Sequence, residues 1–202
     1  MKLHIQCRRL FALVSMLVIS ACSAQVAPER VITESITVKA SVDEVWKAWT
    51  TADGIKTFFA PDAKVDAKVG GPFEIYMDPM AAPGMKGADG MVFLAVQEKK
   101  MISFTWNAPP SLPEARKQRT VVVVRFAARG DSLTDVTVLH SGWGEPAADN
   151  EWGKAYDYFV KVWPNVLKNL KKRFDDGPVD WKPWLDRLQA QRAAVPALVP
   201  AK

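Results

Sequence analysis

Large apolar residues recur at Trp152, Tyr156, Phe159, Trp163, Val166, Leu167, Leu170 and Phe174. Steps of three and four place all of them on one stripe of a helix, a spacing that the two-residue period of a strand does not produce. The stretch from Asp149 to Gly177 therefore reads as one long amphipathic helix with an aromatic face. Asp149 is positioned to cap its first free N–H groups, and Glu151 adds negative charge where the helix dipole is positive. Lys171, Lys172 and Arg173 complement the other end, and Gly177-Pro178 supplies the stop. Pro164 removes one internal hydrogen bond, which predicts a kink between Val160 and Trp163. So much aromatic surface needs a broad concave partner, and the remaining chain is constrained to provide one.

The upstream pattern is that of a sheet. Ile32, Ile36, Val38 and Ala40 alternate with polar residues as a first strand, with Glu34 on the apolar phase near an open end of the sheet or lining a cavity. Ser41 and Glu44 form a capping box that opens a helix carrying Val45, Trp46 and Trp49. A turn at Asp53-Gly54 leads to a second short helical piece ending at Phe58-Phe59-Ala60-Pro61. From Lys64 onward about six strands follow. Ile102, Phe104 and Trp106 share one face of one of them, and Val136, Val138 and His140 share a phase on the last. Residues 78 to 90, rich in Pro, Gly and Met, read as a long mobile loop, and Pro109 to Pro113 as a second loop. This order predicts an α+β fold, an antiparallel sheet wrapped around a terminal helix, and excludes a parallel βαβ arrangement.

The net charge of +5 does not point to nucleic acid. Lys2, Arg8 and Arg9 stand in the first 21 residues without an acid, and removing those three charges leaves +2 for the rest. The remaining cations are interspersed with acids, with no basic cluster interleaved by aromatics, so no nucleic-acid partner is expected. The same three cations precede an apolar run, Leu10 to Ile19, too short to span a bilayer, and together they read as an export signal. It ends in Ile19-Ser20-Ala21-Cys22, which resembles the lipobox of bacterial lipoproteins, in which the cysteine is lipidated and becomes the mature N-terminus. Ser23, by the same resemblance, permits sorting to the outer membrane. The alternative is an ordinary signal peptide cut after Ala24. Residues 1–21 are thus expected as signal, 22–30 as a tether, 31–177 as the domain and 178–202 as an extension, in which Trp181, Trp184, Leu185 and Leu188 sit at near-helical spacing before a frayed tail. Cys7 and Cys22 are the only cysteines, so the domain can hold neither a disulfide nor a cysteine metal site.

Several segments together resemble a known family. Ser41 to Trp49, followed by Phe59-Ala60-Pro61, is similar to the opening of the SRPBCC, or START-like, superfamily. Gly70-Gly71-Pro72-Phe73-Glu74, Phe104-Thr105-Trp106 and His140-Ser141-Gly142-Trp143 resemble the branch named for homologues of the activator of the heat-shock-protein-90 ATPase, and Trp163 to Leu170 resembles its terminal helix. The resemblance runs from about Val31 to Phe174. It implies a helix-grip fold, in which a curved antiparallel sheet and the terminal helix enclose a hydrophobic cavity. An exported protein would not meet the cytosolic chaperone of that name, and no such partner is expected.

Candidate chemistry is sparse. His140 is the only histidine outside the signal and cannot anchor a multi-histidine metal site. Its ordinary role is a hydrogen bond to the loop before the long helix; its functional role is a polar contact, an acid or a base at the mouth of a cavity. Met77, Met80, Met85 and Met91 bracket the long loop. They serve as lid residues against an apolar ligand, with a Cu(I) site as the alternative for such thioethers. Phe58, Phe59, Trp106, His140, Trp143, Trp152, Tyr156 and Phe159 are the candidate ligand-binding residues, with Trp163 nearer the core. No catalytic residue, metal or cofactor is assigned. The expectation is a lipid-anchored protein that binds a small hydrophobic or amphipathic molecule. The alternatives are a cyclase- or hydrolase-like enzyme using His140, and an envelope interaction module.

Overall fold

The computed structural model describes residues 29–147 and 149–194. The export signal, Cys22 and most of the tether lie outside the described residues, as does the end of the extension. Strand β1 (Ile32–Val38) is followed by helices α1 (Val42–Thr50) and α2 (Ala52–Lys56), then by β2 (Asp62–Val65), β3 (Phe73–Tyr76), β4 (Gly87–Ala88), β5 (Phe93–Gln97) and β6 (Met101–Trp106). A short helix α3 (Pro113–Arg116) precedes β7 (Thr120–Ala128) and β8 (Thr134–Ser141), and the chain closes with α4 (Trp152–Asp176) and α5 (Lys182–Ala194). An antiparallel sheet of order β1-β8-β7-β6-β5 is flanked by a smaller antiparallel sheet of order β2-β3-β4. The Pro72–Val92 bridge joins them, with Phe73 N–H donating to Met91 O at 2.8 Å. This is the α+β architecture expected: a sheet with two short helices after its first strand and a long helix at the end.

The inner face of the sheet follows the alternation in the sequence. Ile102, Phe104 and Trp106 on β6, Val122, Val124 and Phe126 on β7, and Val136, Val138 and His140 on β8 are all buried. In register, Val122 faces His140, Val124 faces Val138 and Phe126 faces Val136. Phe159, Trp163, Val166, Leu167 and Leu170 of α4 join the same core, so the aromatic stripe has its concave partner. The capping box of α1 is formed, with Glu44 N–H donating to Ser41 Oγ and Ser41 N–H donating to Glu44 Oε2.

Several local expectations are corrected. Asp53-Gly54 is not a turn but part of α2, whose first turn is capped by Thr51 Oγ1 accepting from Gly54 N–H at 3.0 Å. A Cβ at Gly54 would lie 2.3 Å from Lys47 O, so glycine is required where α2 crosses the backbone of α1. Asp149 does not cap α4. Asn150 Oδ1 accepts from Trp152 N–H instead, because Glu151 takes a left-handed φ of 60° and swings its carboxylate to the first N–H groups of α3. Pro164 lies inside α4 as expected, where it is exposed, and so is Val160, whose carbonyl lacks its usual donor. Glu34 is half-buried in the middle of edge strand β1, opposite Val138. The 109–113 loop ends in α3, and the extension is helical to Ala194, beyond Leu188.

Candidate functional site

The two ends of the space between sheet and α4 differ. At the β8 end it is filled. The His140 ring lies 4.1 Å from that of Trp143 and 4.9 Å from that of Phe159, and Trp143 meets Tyr156 edge-on at 5.4 Å and Trp152 at 6.4 Å. Arg30 lies over the Tyr156 ring and donates to Gly144 O. A Cβ at Gly144 would fall 2.1 Å from the Trp152 indole nitrogen, so even the loop packs to contact. Phe58 and Phe59 are core residues, packed on Trp49 at 5.1 and 5.7 Å.

His140 is fully buried, and both ring nitrogens are engaged. Trp163 Nε1 is 2.9 Å from Nδ1, and an indole N–H can only donate, so Nδ1 is the acceptor. Nε2 then carries the proton and donates to Thr120 Oγ1 at 2.7 Å, whose hydroxyl donates onward to Trp106 O. Burial lowers the His140 pKa to about 3, which keeps the ring neutral at physiological pH. The ring does not bond the loop before α4, as its ordinary role would have it. Only the His140 carbonyl reaches that loop, accepting from Trp143 Nε1. A closed chain of this kind positions β7, β8 and α4 and leaves no ring nitrogen for a proton transfer.

At the β6 end the space is open. A cleft of about 300 Å³ has Trp106 and Phe159 in its lining. Tyr158 and Val162 supply its α4 wall, and Met77, Met85, Lys86, Gly87 and Ala88 line it from the loop. Ala108, Pro109 and Pro110 close the far side, and Asn107 lies among them. Burial holds the Tyr158 phenol above its ordinary pKa, so it stays protonated. The 78–90 loop is pinned rather than free. Arg116 donates to Gly84 O, Gly87 O and Ala108 O, tying the two walls together, and it pairs with Asp89 at 3.3 Å. Asp89 in turn accepts from Gly84 N–H and Gly87 N–H.

Of the residues expected at a ligand, Trp106 and Phe159 line this cleft, whereas Phe58, Phe59, His140, Trp143, Trp152 and Tyr156 are packed elsewhere. Of the four methionines, Met77 and Met85 line it, Met80 is exposed and Met91 is core. Sequence reasoning missed Asn107, Tyr158 and Val162. Tyr158 and Val162 are four residues apart beside the stripe, a signal that the apolar face is wider than a single row. Asn107 carried no such signal, because strand alternation points it outward and only the end of β6 at Trp106 lets it turn in.

The extension meets the cleft rim. Val179 N–H donates to Thr57 O, Trp181 Nε1 to Lys56 O and Trp184 Nε1 to Met77 O, and Arg192 pairs with Asp78. A second groove, about 660 Å³, lies between Leu185 and Leu188 of α5 and Pro61, Pro79 and Met80.

Residues 39–175 match the model of the family described as activator of Hsp90 ATPase homologue 1-like protein. The chain belongs to this family. Solved structures agree on the helix-grip fold of its superfamily. Protein MLL2253 of Mesorhizobium loti superposes with a TM-score of 0.58 at 22% identity, covering 74% of this chain and 100% of that one. CalU16 of Micromonospora echinospora gives 0.55 at 21% identity over 81% and 84% of the two chains. Aha1 of Colwellia psychrerythraea, solved as a dimer, gives 0.53 at 20% identity over 73% and 98%. No match was found among curated proteins. The family region of this activator-of-Hsp90-ATPase-homologue-like chain stops at the end of α4, so α5 and its contacts to the cleft rim lie beyond it.

Proposed function

We propose that this protein binds a small, mostly apolar molecule in the cleft between the end of β6, the 77–88 loop and α4. The observation that carries this reading is the cleft itself: about 300 Å³ at the grip of sheet and helix, with Trp106, Phe159, Val162 and two methionines in its walls. The enzyme alternative loses its acid–base residue, since His140 is neutral and saturated by Trp163 and Thr120. Native mass spectrometry of the purified full chain, with organic extraction of what it carries, tests the reading. The expected result is a co-purifying small molecule that is lost in Val162→Trp, where the indole fills the cleft. A wild-type protein with no bound mass and no affinity for apolar probes would overturn it.

The proposal includes export and lipid anchoring at Cys22. Its support is the basic leader, the short apolar run and Ile19-Ser20-Ala21-Cys22, while no helix among the described residues is long and apolar enough to cross a membrane. Several acyl chains on one residue make attachment stable where one is marginal. Cys22→Ser is expected to release the protein from the outer membrane into the periplasm or leave an uncut precursor. Intact mass of the membrane fraction decides; an unlipidated chain starting at Gln25 overturns this part. A lipoprotein in that compartment does not meet the cytosolic chaperone in the family's name.

A further inference from the structure

Tyr158, whose hydroxyl makes no hydrogen bond among the described residues, is 42% exposed, and Asn107 differs from it and from the other polar groups around the cleft in being buried. Asn107 is 6% exposed and lines the cleft, and among the described residues its side chain makes no hydrogen bond. Buried amides are ordinarily paired, and an unpaired one calls for an explanation. The Trp49 indole N–H is the only fully enclosed side-chain polar atom without a partner among the described residues. The Asn107 amide, equally unpartnered, is therefore not fully enclosed, and the space that Asn107 borders is the cleft. Its neighbours in the lining are Trp106, Ala108 and Pro109, none with a side-chain acceptor.

The charged groups of the cleft are already occupied. Asp78 accepts from Met80 N–H and pairs with Arg192, and Lys86 Nζ lies 5.1 Å over the Tyr76 ring. A carboxylate seated at Asn107 would exchange its hydration for a neutral amide, which is unfavourable. An ester or ketone would accept from Nδ2 and leave Oδ1 unpaired. A group with an acceptor beside a donor satisfies both Asn107 atoms, and does so in either flip of the amide.

Resting on the binding role proposed above, we propose that the ligand is apolar over most of its surface and carries a neutral carboxamide or lactam that pairs with the side chain of Asn107. Trp106 and Phe159 hold the apolar body, and Asn107 sets which head group is accepted. Discrimination comes from the penalty of leaving a buried amide unpaired by the wrong ligand.

Matched probes test this: 2-naphthamide, methyl 2-naphthoate and 2-naphthoate share a ring system and differ in the head. Titrations use the Cys22→Ser protein recovered from the soluble periplasmic fraction, which needs no detergent that would compete for the cleft. The amide is expected to bind at least about tenfold tighter than the ester, equivalent to about 1.4 kcal/mol, with the carboxylate weakest. The Asn107 side-chain NH2 resonances should shift with the amide and much less with the ester. Asn107→Leu should keep ester affinity and erase the amide preference. Equal binding of amide and ester to the unsubstituted cleft, or an unchanged preference in Asn107→Leu, overturns the head-group assignment and leaves the cleft reading intact. Loss of all three probes in a folded Asn107→Leu chain overturns it as well. Binding of no probe at all overturns the cleft reading and this inference together.

Discussion

His140 and Asn107 are both buried polar residues at the end of a core strand, each beside the aromatic face of α4, yet they do opposite things. His140 donates to Thr120, accepts from Trp163 and is walled in by Trp143 and Phe159. Asn107 pairs with nothing among the described residues and borders about 300 Å³ of open space. Burial alone therefore does not mark a site. A histidine with every valence matched behaves as core, whereas an amide with none matched, next to volume, is where a ligand gains a contact the protein cannot make for itself.

The closed end is most sensitive at Trp163. Trp163→Ala should cost about 4 kcal/mol, combining a large cavity with an unpaired His140 Nδ1. Urea unfolding measures it, and a cost below about 1 kcal/mol would mean that the closed end is not closed. The next effect is a pH dependence. His140 has a folded pKa of about 3 against about 6.5 when unfolded, so between these values the unfolded chain binds a proton that the native state refuses. Stability is whole above pH 6.5 and falls as pH drops, by up to about 1.4 kcal/mol per unit, or about 2 kcal/mol by pH 5. Unfolding curves of the wild type and His140→Gln should diverge in this sense; parallel curves would show that the ring is not shielded.

Smaller effects sharpen the open end. Arg192→Ala removes a partly exposed pair to Asp78 and should cost less than about 1 kcal/mol, while loosening the α5 contact at the rim. Calorimetry gives the cost, and hydrogen exchange at Met77 and Asp78 should rise; unchanged exchange would mean that Trp184 alone holds the rim. The smallest effect is the most telling. Asn107→Leu should leave stability within about 0.5 kcal/mol, because no protein hydrogen bond is lost and apolar area is kept. A cost approaching that of Trp163→Ala would erase the contrast between the two ends.

Helix α4 was legible because a stripe from Trp152 to Phe174 can be satisfied by only one secondary structure, and the inner faces of β6 and β8 because alternation is local. The Ser41–Glu44 box and the Gly177 stop were legible for the same reason, each depending on residues three or four apart. With the helix-grip fold implied by the family resemblance, the sequence pattern itself determined the α+β class, the strand phases and which residues of β6 and β8 turn inward. It did not determine which inward aromatics pack and which line space. Phe59, Tyr156 and Phe159 look alike as apolar residues, but Phe59 meets Trp49 and Tyr156 meets Trp143, while Phe159 borders the cleft. That choice was made by groups distant in sequence. Arg116 ties loop carbonyls at Gly84 and Gly87 to Ala108, and Trp163 meets His140 across 23 residues. Periodicity reports the direction of a side chain, which is a property of one segment. Filled or empty space is a property of the volume several segments leave between them, and only the tertiary structure sets that volume.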